Sequence, residues 1–375
     1  MKKIMLIFFT MFCFTLPSTT VSALSVSAQY ACVIDAQTGR VIYEKNAYSP
    51  HSMASTTKIM TALVALENSN LSDIVTVSKN AAGVEGTSLY LKPGEKIVME
   101  DLLYGLLLQS GNDAAIAIAE HIAGSTEKFA LLMTSRAKNI GAKNTVFKNP
   151  NGLDEDGHVT TAYDLALITQ QALKNEIFSK IVATKSIKIK NGTQTVTNHN
   201  KMLTMYSDCI GVKTGFTKKT GRCLVTAAER GGTKIIAVTL NAPDDWNDHK
   251  NMLNHAFENS VCFPLFAAGM TVNSVTVKDG TQNTLELTAA RDFYLSEDIN
   301  TKFQNAQISC KVPPYVTAPI KQGEEIGRAE IYYKDKLLDS IPLIAATDIT
   351  YKKAKKASII AENFKKLLLF SCTKR

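Results

Sequence analysis

Apolar and polar positions along this chain fall into distinct textures. Lys2 and Lys3 precede an apolar run from Ile4 to Leu16, which breaks at Pro17 before small and polar residues lead to Val21-Ser22-Ala23. A charged start, a short apolar stretch and a small-residue site describe a secretory signal over residues 1–23. Residues 30–35 and 40–44 are β-rich runs around Ala36-Gln37-Thr38-Gly39, which predicts a hairpin. Residues 57–67 are apolar on nearly every side, the pattern of a helix buried all round. Helical spacing continues over 101–108 and 113–123, with Gly124 as a stop signal, and Thr161-Ala162-Tyr163-Asp164 opens another helix with a capping pattern. Strand texture returns at 186–190, 193–198, 211–217, 223–230 and 234–240, and a helix holding Trp246 runs to about Phe257. This order predicts an α/β (α+β) domain over 24–262, one antiparallel sheet sandwiched by helices. From about Phe263, short alternating runs at 272–277, 284–287 and 329–333 separated by Gly and Pro turns predict a small all-β sandwich over 263–350.

Charge changes the picture at the ends. The whole chain carries +8; residues 352–375 hold eight Lys/Arg and one Glu, and Lys2 and Lys3 add two, so the body between carries −1. A nucleic-acid-binding protein would place its basic patch on the folded domain, so that class is excluded. On a helix over 351–375, Ile359, Ile360, Phe364, Leu367, Leu368 and Phe370 share one face, with Glu362, Lys365 and Lys366 opposite and Leu369 the exception. Such a basic amphipathic helix lies in a membrane interface, its lysines near anionic headgroups. Past the signal stand Cys32, Cys209, Cys223, Cys262, Cys310 and Cys372, an even set that permits bridges without demanding them. Cys209 and Cys223 either face each other across a hairpin or are buried thiols.

Three short motifs carry the chemistry: Ser55-Thr56-Thr57-Lys58, Ser110-Gly111-Asn112 and Lys213-Thr214-Gly215. Ser-x-x-Lys alone is weak, because Ser125-Thr126-Glu127-Lys128 and Ser135-Arg136-Ala137-Lys138 also match. Ser125 reads as the N-cap of a new helix and Ser135 lies inside one. Only Ser55 opens a buried helix, where the positive end of the backbone dipole favours developing negative charge. Lys58 returns one turn later to the same face. Held neutral by burial and by a second cation, Lys213, it becomes a base for the Ser55 hydroxyl. The Ser110 hydroxyl then relays a proton to the leaving amine, and Asn112 holds the substrate's amide carbonyl and pins Lys58. Gly215 lets a peptide approach the strand as an added neighbour. Lys213 and the Thr214 hydroxyl take a terminal carboxylate, and the backbone N–H groups of Ser55 and Phe216 are candidates for an oxyanion hole. Gly-x-Ser-x-Gly is absent and no histidine falls in a triad context. Asp244, Asp245, Asp248 and His249 read as capping at the last helix rather than as a metal site. The chemistry needs no metal and no organic cofactor.

The same trio, with Asp at the middle of the second motif, marks class A β-lactamases and penicillin-binding proteins. Across about residues 25–350 the chain resembles the serine D-alanyl-D-alanine carboxypeptidases, the low-molecular-mass penicillin-binding proteins of the penicillin-binding protein 5 type. Asp35-Ala36-Gln37-Thr38-Gly39 and Asn149-Pro150-Asn151-Gly152-Leu153-Asp154 resemble segments of that family too. The resemblance implies removal of the terminal D-Ala from peptidoglycan stem peptides on the outer face of the cytoplasmic membrane. It also implies acylation by β-lactams, a downstream β-domain and a C-terminal amphipathic anchor. Two other readings stand beside it. A β-lactamase would need rapid deacylation, and Glu155, the nearby glutamate, has the wrong setting. A catalytically silent wall-binding scaffold would not need Ser55, Lys58, Ser110, Asn112 and Lys213 together.

Overall fold

The computed structural model describes residues 24–300 and 306–352. The predicted signal segment, and all of the predicted anchor helix beyond Lys352, lie outside the described residues. β1 (Tyr30–Asp35) and β2 (Val41–Lys45) form the expected hairpin. Its turn is tied by the Asp35 carboxylate, which accepts from the Gln37 and Thr38 N–H groups at 2.9 and 2.8 Å. A 3₁₀ turn, Ala54–Thr57, leads into α1 (Lys58–Asn68), buried from Lys58 to Ala65. β3 (Ile74–Thr76) and β4 (Lys96–Val98) pair, with α2 (Lys79–Ala82) between them in sequence.

α3 (Met99–Tyr104) runs into a π-helical turn, Gly105–Gln109, and then α4 (Asn112–Ala123). Helical spacing alone predicts regular helix to Leu108; the turn widens where the Leu89 side chain presses onto Gly105, so closely that any Cβ there would collide with it. α5 (Thr126–Ile140) begins at Ser125, whose hydroxyl accepts from the Lys128 N–H, so this second Ser-x-x-Lys is a helix cap. Thr161 caps α6 (Ala162–Ala172) in the same way, through the Asp164 N–H, and α7 (Glu176–Ala183) follows.

β5 (Ser186–Ile189) and β6 (Gln194–Thr197) correct the single-sheet expectation: they form a hairpin of their own. Its turn docks on the helical block, where the Lys190 N–H donates to Asp101. After α8 (Met202–Met205), β7 (Cys209–Thr217), β8 (Gly221–Arg230) and β9 (Thr233–Leu240) complete an antiparallel sheet in the order β2-β1-β9-β8-β7. The helical block covers one face. The last helix, α9 (Asp245–Glu258), packs against the sheet through a separate apolar cluster that includes Leu253 and Leu224. β7 is an edge strand, and its register sets Cys223 opposite Gly215 and Cys209 opposite Ala228. The two thiols do not face each other, and both are free.

The acidic residues at the start of α9 do not cap it, contrary to the sequence reading. Asp244 makes no capping bond, Asp248 grips the Ser27 and Ala28 N–H groups, and Asp245 takes Arg222. His249 is buried between the hydroxyls of Thr226 and Thr239.

The remaining strands are β10 (Ser260–Phe266), β11 (Thr271–Lys278), β12 (Thr284–Ala289), β13 (Phe293–Asp298), β14 (Ala306–Lys311), β15 (Tyr315–Thr317), β16 (Glu325–Tyr333) and β17 (Lys336–Ala345). β10 pairs with β13, and the other six form one sheet. Phe266 and Leu295 from the pair share a core with Leu287, Ile331 and Leu343 from the sheet, apart from the core around α1. The β1–β2 turn touches this module: Gln37 Nε2 donates to the Tyr294 carbonyl at 2.6 Å and Arg40 faces Asp298 at 3.3 Å.

Candidate active site

Ser55 sits in the 3₁₀ turn that enters α1, after Ala54, whose φ of +47° is an uncommon left-handed value for a residue with a Cβ. Lys58 follows at the first position of α1, its side chain wholly buried. Its Nζ lies 2.9 Å from Ser55 Oγ, 2.7 Å from Asn112 Oδ1 and 2.6 Å from the Asn151 carbonyl oxygen. These contacts fit a neutral amine. A carbonyl oxygen only accepts, so Asn151 takes one Nζ–H. Asn112 must present its oxygen as well, because its Nδ2 donates to the Glu85 carbonyl at 2.6 Å. In the neutral amine those two bonds use both N–H groups and leave the lone pair for the Ser55 hydroxyl. The electrostatics agree. Burial drives the Lys58 ammonium well below the ordinary lysine range, the nearby Lys213 pushes it further down, and Asp113 pulls part of the way back.

The second acceptor belongs to a loop that the sequence singled out only by resemblance. Gly152 has φ +84°, and a Cβ there would collide with the Ala54 carbonyl oxygen. That close approach lets residues 149–154 lie on the start of α1. Thr61 on α1 donates to the Pro150 carbonyl at 2.6 Å, and Asn149 Oδ1 accepts from the Gly152 N–H at 2.8 Å. Thr57 is held by His158. Nδ1 of that ring accepts from the Lys148 N–H at 3.0 Å, so Nε2 carries the hydrogen facing the Thr57 hydroxyl at 2.8 Å. Burial lowers the His158 pKa to about 4, which keeps the ring neutral.

The third wall is β7. Gly215 packs on the 3₁₀ turn so tightly that a Cβ would lie 3.0 Å from the Ser55 nitrogen. Ser55, Ser110, Thr214, Gly215 and Phe216 line one cleft of about 390 Å³. Thr87, His199, Lys201, Arg222, Cys223, Asp245 and Trp246 complete it. The sequence motifs did not point to these seven; they reach the cleft from loops, from the strand next to β7 and from the first turn of α9. Ser110 follows the π turn in a left-handed conformation, φ +64°, which the short polar side chain of a motif residue does not announce. Lys213 is buried, with Nζ 3.0 Å from the Thr214 carbonyl, and desolvation lowers its pKa to about 7. Successive strand residues face opposite ways, so Lys213 and Thr214 project to different sides of β7. All eight residues proposed from sequence therefore gather around the Ser55 turn and the β7 edge. A dry amine beside a serine hydroxyl, next to a strand edge open to a peptide, is equipped for acyl transfer.

Comparisons with known proteins converge on the same chemistry. A family model described as D-alanyl-D-alanine carboxypeptidase matches residues 17–244, and one described as penicillin-binding protein 5, C-terminal domain, matches residues 262–351. D-alanyl-D-alanine carboxypeptidase DacF of Bacillus subtilis is 35% identical over 344 residues, 89% of this chain and 88% of that protein. DacC of Escherichia coli is 32% identical over 346 residues, 88% of this chain and 86% of that protein. Among solved structures, PBP3 of Streptococcus pneumoniae aligns with a TM-score of 0.73 at 25% identity, covering 87% of this chain and all of that one. Penicillin binding protein 5 of Haemophilus influenzae aligns with a TM-score of 0.63 at 26% identity, over 87% of this chain and 98% of that one. The chain belongs to the D-alanyl-D-alanine carboxypeptidase family and is a serine-type D-Ala-D-Ala carboxypeptidase of cell-wall synthesis.

Proposed function

We propose that Ser55 is the nucleophile and Lys58 the general base of this carboxypeptidase. The Ser55 hydroxyl gives its proton to the Lys58 lone pair as Oγ attacks the carbonyl between the two terminal D-alanines of a peptidoglycan stem peptide. The N–H groups of Ser55 and Phe216 take the developing oxyanion. As the C–N bond breaks, the proton on Lys58 passes through the Ser110 hydroxyl to the leaving amine, and D-Ala departs. Water then attacks the ester, losing its proton to Lys58, and Ser55 leaves with that proton restored. The Thr214 hydroxyl takes the terminal carboxylate, with the Lys213 ammonium behind it supplying positive potential. Asn112 holds the penultimate amide as well as Lys58. A β-lactam ring enters by the same first step and stays as an ester.

The observation that supports this assignment is the set of three contacts on Lys58 Nζ, with Ser55 Oγ at 2.9 Å on the side left for the lone pair. The organisation we propose around it is a signal over 1–23, a catalytic domain over 24–262, a β-module over 263–350 and an anchor helix over 351–375. That arrangement would hold the exported enzyme on the outer face of the cytoplasmic membrane. Among the described residues no helix is long and apolar enough to cross a bilayer. Labelling with a fluorescent penicillin tests the nucleophile. Ser55→Ala loses the covalent label, and release of D-Ala falls by about 10⁴-fold or more; a folded Ser55→Ala protein that still labels refutes the assignment.

A further inference from the structure

One loop serves two sites. The Glu85 carbonyl accepts from Asn112 Nδ2 and the Thr87 carbonyl from the Asn112 N–H at 2.7 Å, so residues 85–87 hold the Asn112 side of the catalytic cleft. Three residues beyond Thr87 stands Tyr90, at most about 10 Å further along the chain. Its φ is +58°, a conformation that costs energy for a residue with a bulky side chain, and 83% of it is exposed. Both neighbours are anchored. Leu89 and Leu91 are buried, and the carboxylate of Asp113, next to Asn112 on α4, accepts from their N–H groups at 2.9 and 3.1 Å and from the Ser88 hydroxyl at 2.6 Å. Gly105 and Gly111 leave the space that the Leu89 side chain fills. The fold thus fixes the backbone on both sides and turns one aromatic ring outward. Beside the ring lies a shallow depression of about 480 Å³ lined by Lys92, Pro93, Gly94, Glu95 and Lys190. Glu95 and Lys190 are paired there at 2.8 Å.

We propose that Tyr90 is a stacking platform for a pyranose ring of the glycan that carries the stem peptide, an inference that rests on the carboxypeptidase reading. A sugar ring has an apolar C–H face and a rim of hydroxyls. The phenol face suits the first, and the Glu95–Lys190 pair and Lys92 suit the second. A docked protein would call for a contiguous apolar patch, whereas here a single ring stands beside charged side chains. The loop that braces Asn112 therefore also grips the substrate at a distance from the scissile bond, and binding energy from a remote group is available to position the reacting one.

The test compares D-Ala release from a disaccharide-pentapeptide with release from the same pentapeptide lacking the sugars, the latter as internal reference. The native enzyme favours the glycosylated substrate by about two- to tenfold in kcat/KM. Tyr90→Phe keeps that ratio. Tyr90→Gly, which suits the left-handed backbone, brings the ratio close to one without lowering Tm. A ratio near one in the native enzyme, or one that Tyr90→Gly leaves unchanged, overturns the proposal and makes a protein partner the better purpose for the ring. An equal fall on both substrates overturns it too, because the ring would then serve the loop alone. Failure to cleave either substrate would instead strike the carboxypeptidase reading beneath it.

Discussion

The two halves of the molecule bury different things. The catalytic half encloses Lys58 and Lys213, Asp113, Asp164, Asp245 and Asp248, and the neutral rings of His158 and His249. In the six-stranded sheet of the β-module no described residue buries a charge; Val275, Leu287, Ile331, Leu343 and their neighbours make an apolar core. An ammonium removed from water is costly unless its hydrogen bonds are replaced. That sheet has no such cost to meet, and its strands alternate plainly; the carboxylate the module does bury, Glu297, lies on β13 in the β10–β13 pair. The catalytic half meets that cost with backbone carbonyls, an amide and a tightly fitted loop, and gains a lysine whose pKa burial and Lys213 hold well below the ordinary range. Perturbing the two halves should therefore have opposite signatures, activity in one and stability in the other.

The largest effect should come from the loop that positions Lys58. Gly152→Ala places a Cβ against the Ala54 carbonyl at a φ of +84°, displacing both the turn that carries Ser55 and the Asn151 carbonyl that accepts from Lys58. We expect kcat/KM for D-Ala release to fall by about 10²-fold or more. A variant with native kcat/KM would show that the Asn151 contact is incidental.

Next comes Lys213. Its pKa is about 7 when folded and about 10.5 as the ordinary value, so between those pH values the unfolded chain binds more protons than the native one. Stability therefore rises with pH across that window, is flat above it, and below about 7 bears the full cost of a buried charge. Lys213→Met removes the group and should stabilise the protein at pH 6 by about 1–3 kcal/mol while flattening the pH dependence. Activity moves the other way. With the Lys213 charge gone, we expect about a 10²-fold loss in kcat/KM. In the native enzyme, activity rises as Lys58 loses its proton and falls above about pH 7 as Lys213 loses its own. Denaturant melts and rate profiles from pH 5 to 10 read both effects. A Lys213→Met protein that is less stable at pH 6 would mean the ammonium is better compensated than the Thr214 carbonyl alone allows.

The contrast also explains what the sequence disclosed. Helix α1 was legible because a run from Ile59 to Ala65 with no polar face has to be buried, and Ser55 and Lys58 were legible because a motif supplied side chains at one-turn spacing. The β-module was legible from alternation. Asn151 and Glu85 were not, because each acts through a backbone carbonyl, which any residue would offer. The π turn before Ser110 packs against Leu89, a contact distant in sequence, and the separate β5–β6 hairpin docks through one to Asp101. Cys209 and Cys223 flank a motif symmetrically, yet a register irregularity between Cys209 and Gly211 and the pairing of Gly215 with Cys223 keep them apart. Chemistry carried by side chains was readable; chemistry carried by carbonyls and register was not.

In the module, Ile331→Ala empties part of an apolar core and should cost about 2–5 kcal/mol. The single tryptophan, Trp246, lies on α9 at the catalytic cleft, so its fluorescence reports the catalytic half alone. We expect an earlier transition by circular dichroism, an unshifted one by fluorescence, and unchanged kcat at 25 °C. Coincident shifts in both probes would mean that the halves unfold as one cooperative unit.

The smallest effect tests the seam between them. Arg40, in the β1–β2 hairpin, meets Asp298 of β13 at 3.3 Å and donates to the Ser260 hydroxyl of β10 at 3.0 Å, with side chains 11% and 31% exposed for the ion pair. Partial exposure and a long contact place this pair near the modest end of ion-pair energies, so Arg40→Ala should cost about 1 kcal/mol. The loss should appear as a wider gap between the fluorescence and circular dichroism midpoints, because the bond is one of those, with the Gln37 contacts, that couple two distinct cores. Hydrolysis of a short D-Ala-D-Ala peptide should not change, since the hairpin reaches the cleft through no residue that lines it. If Arg40→Ala slowed that hydrolysis severalfold, the module would be shaping the cleft through β1, and the division into a half that buries a charged site and a half built on an apolar six-stranded sheet would have to be abandoned.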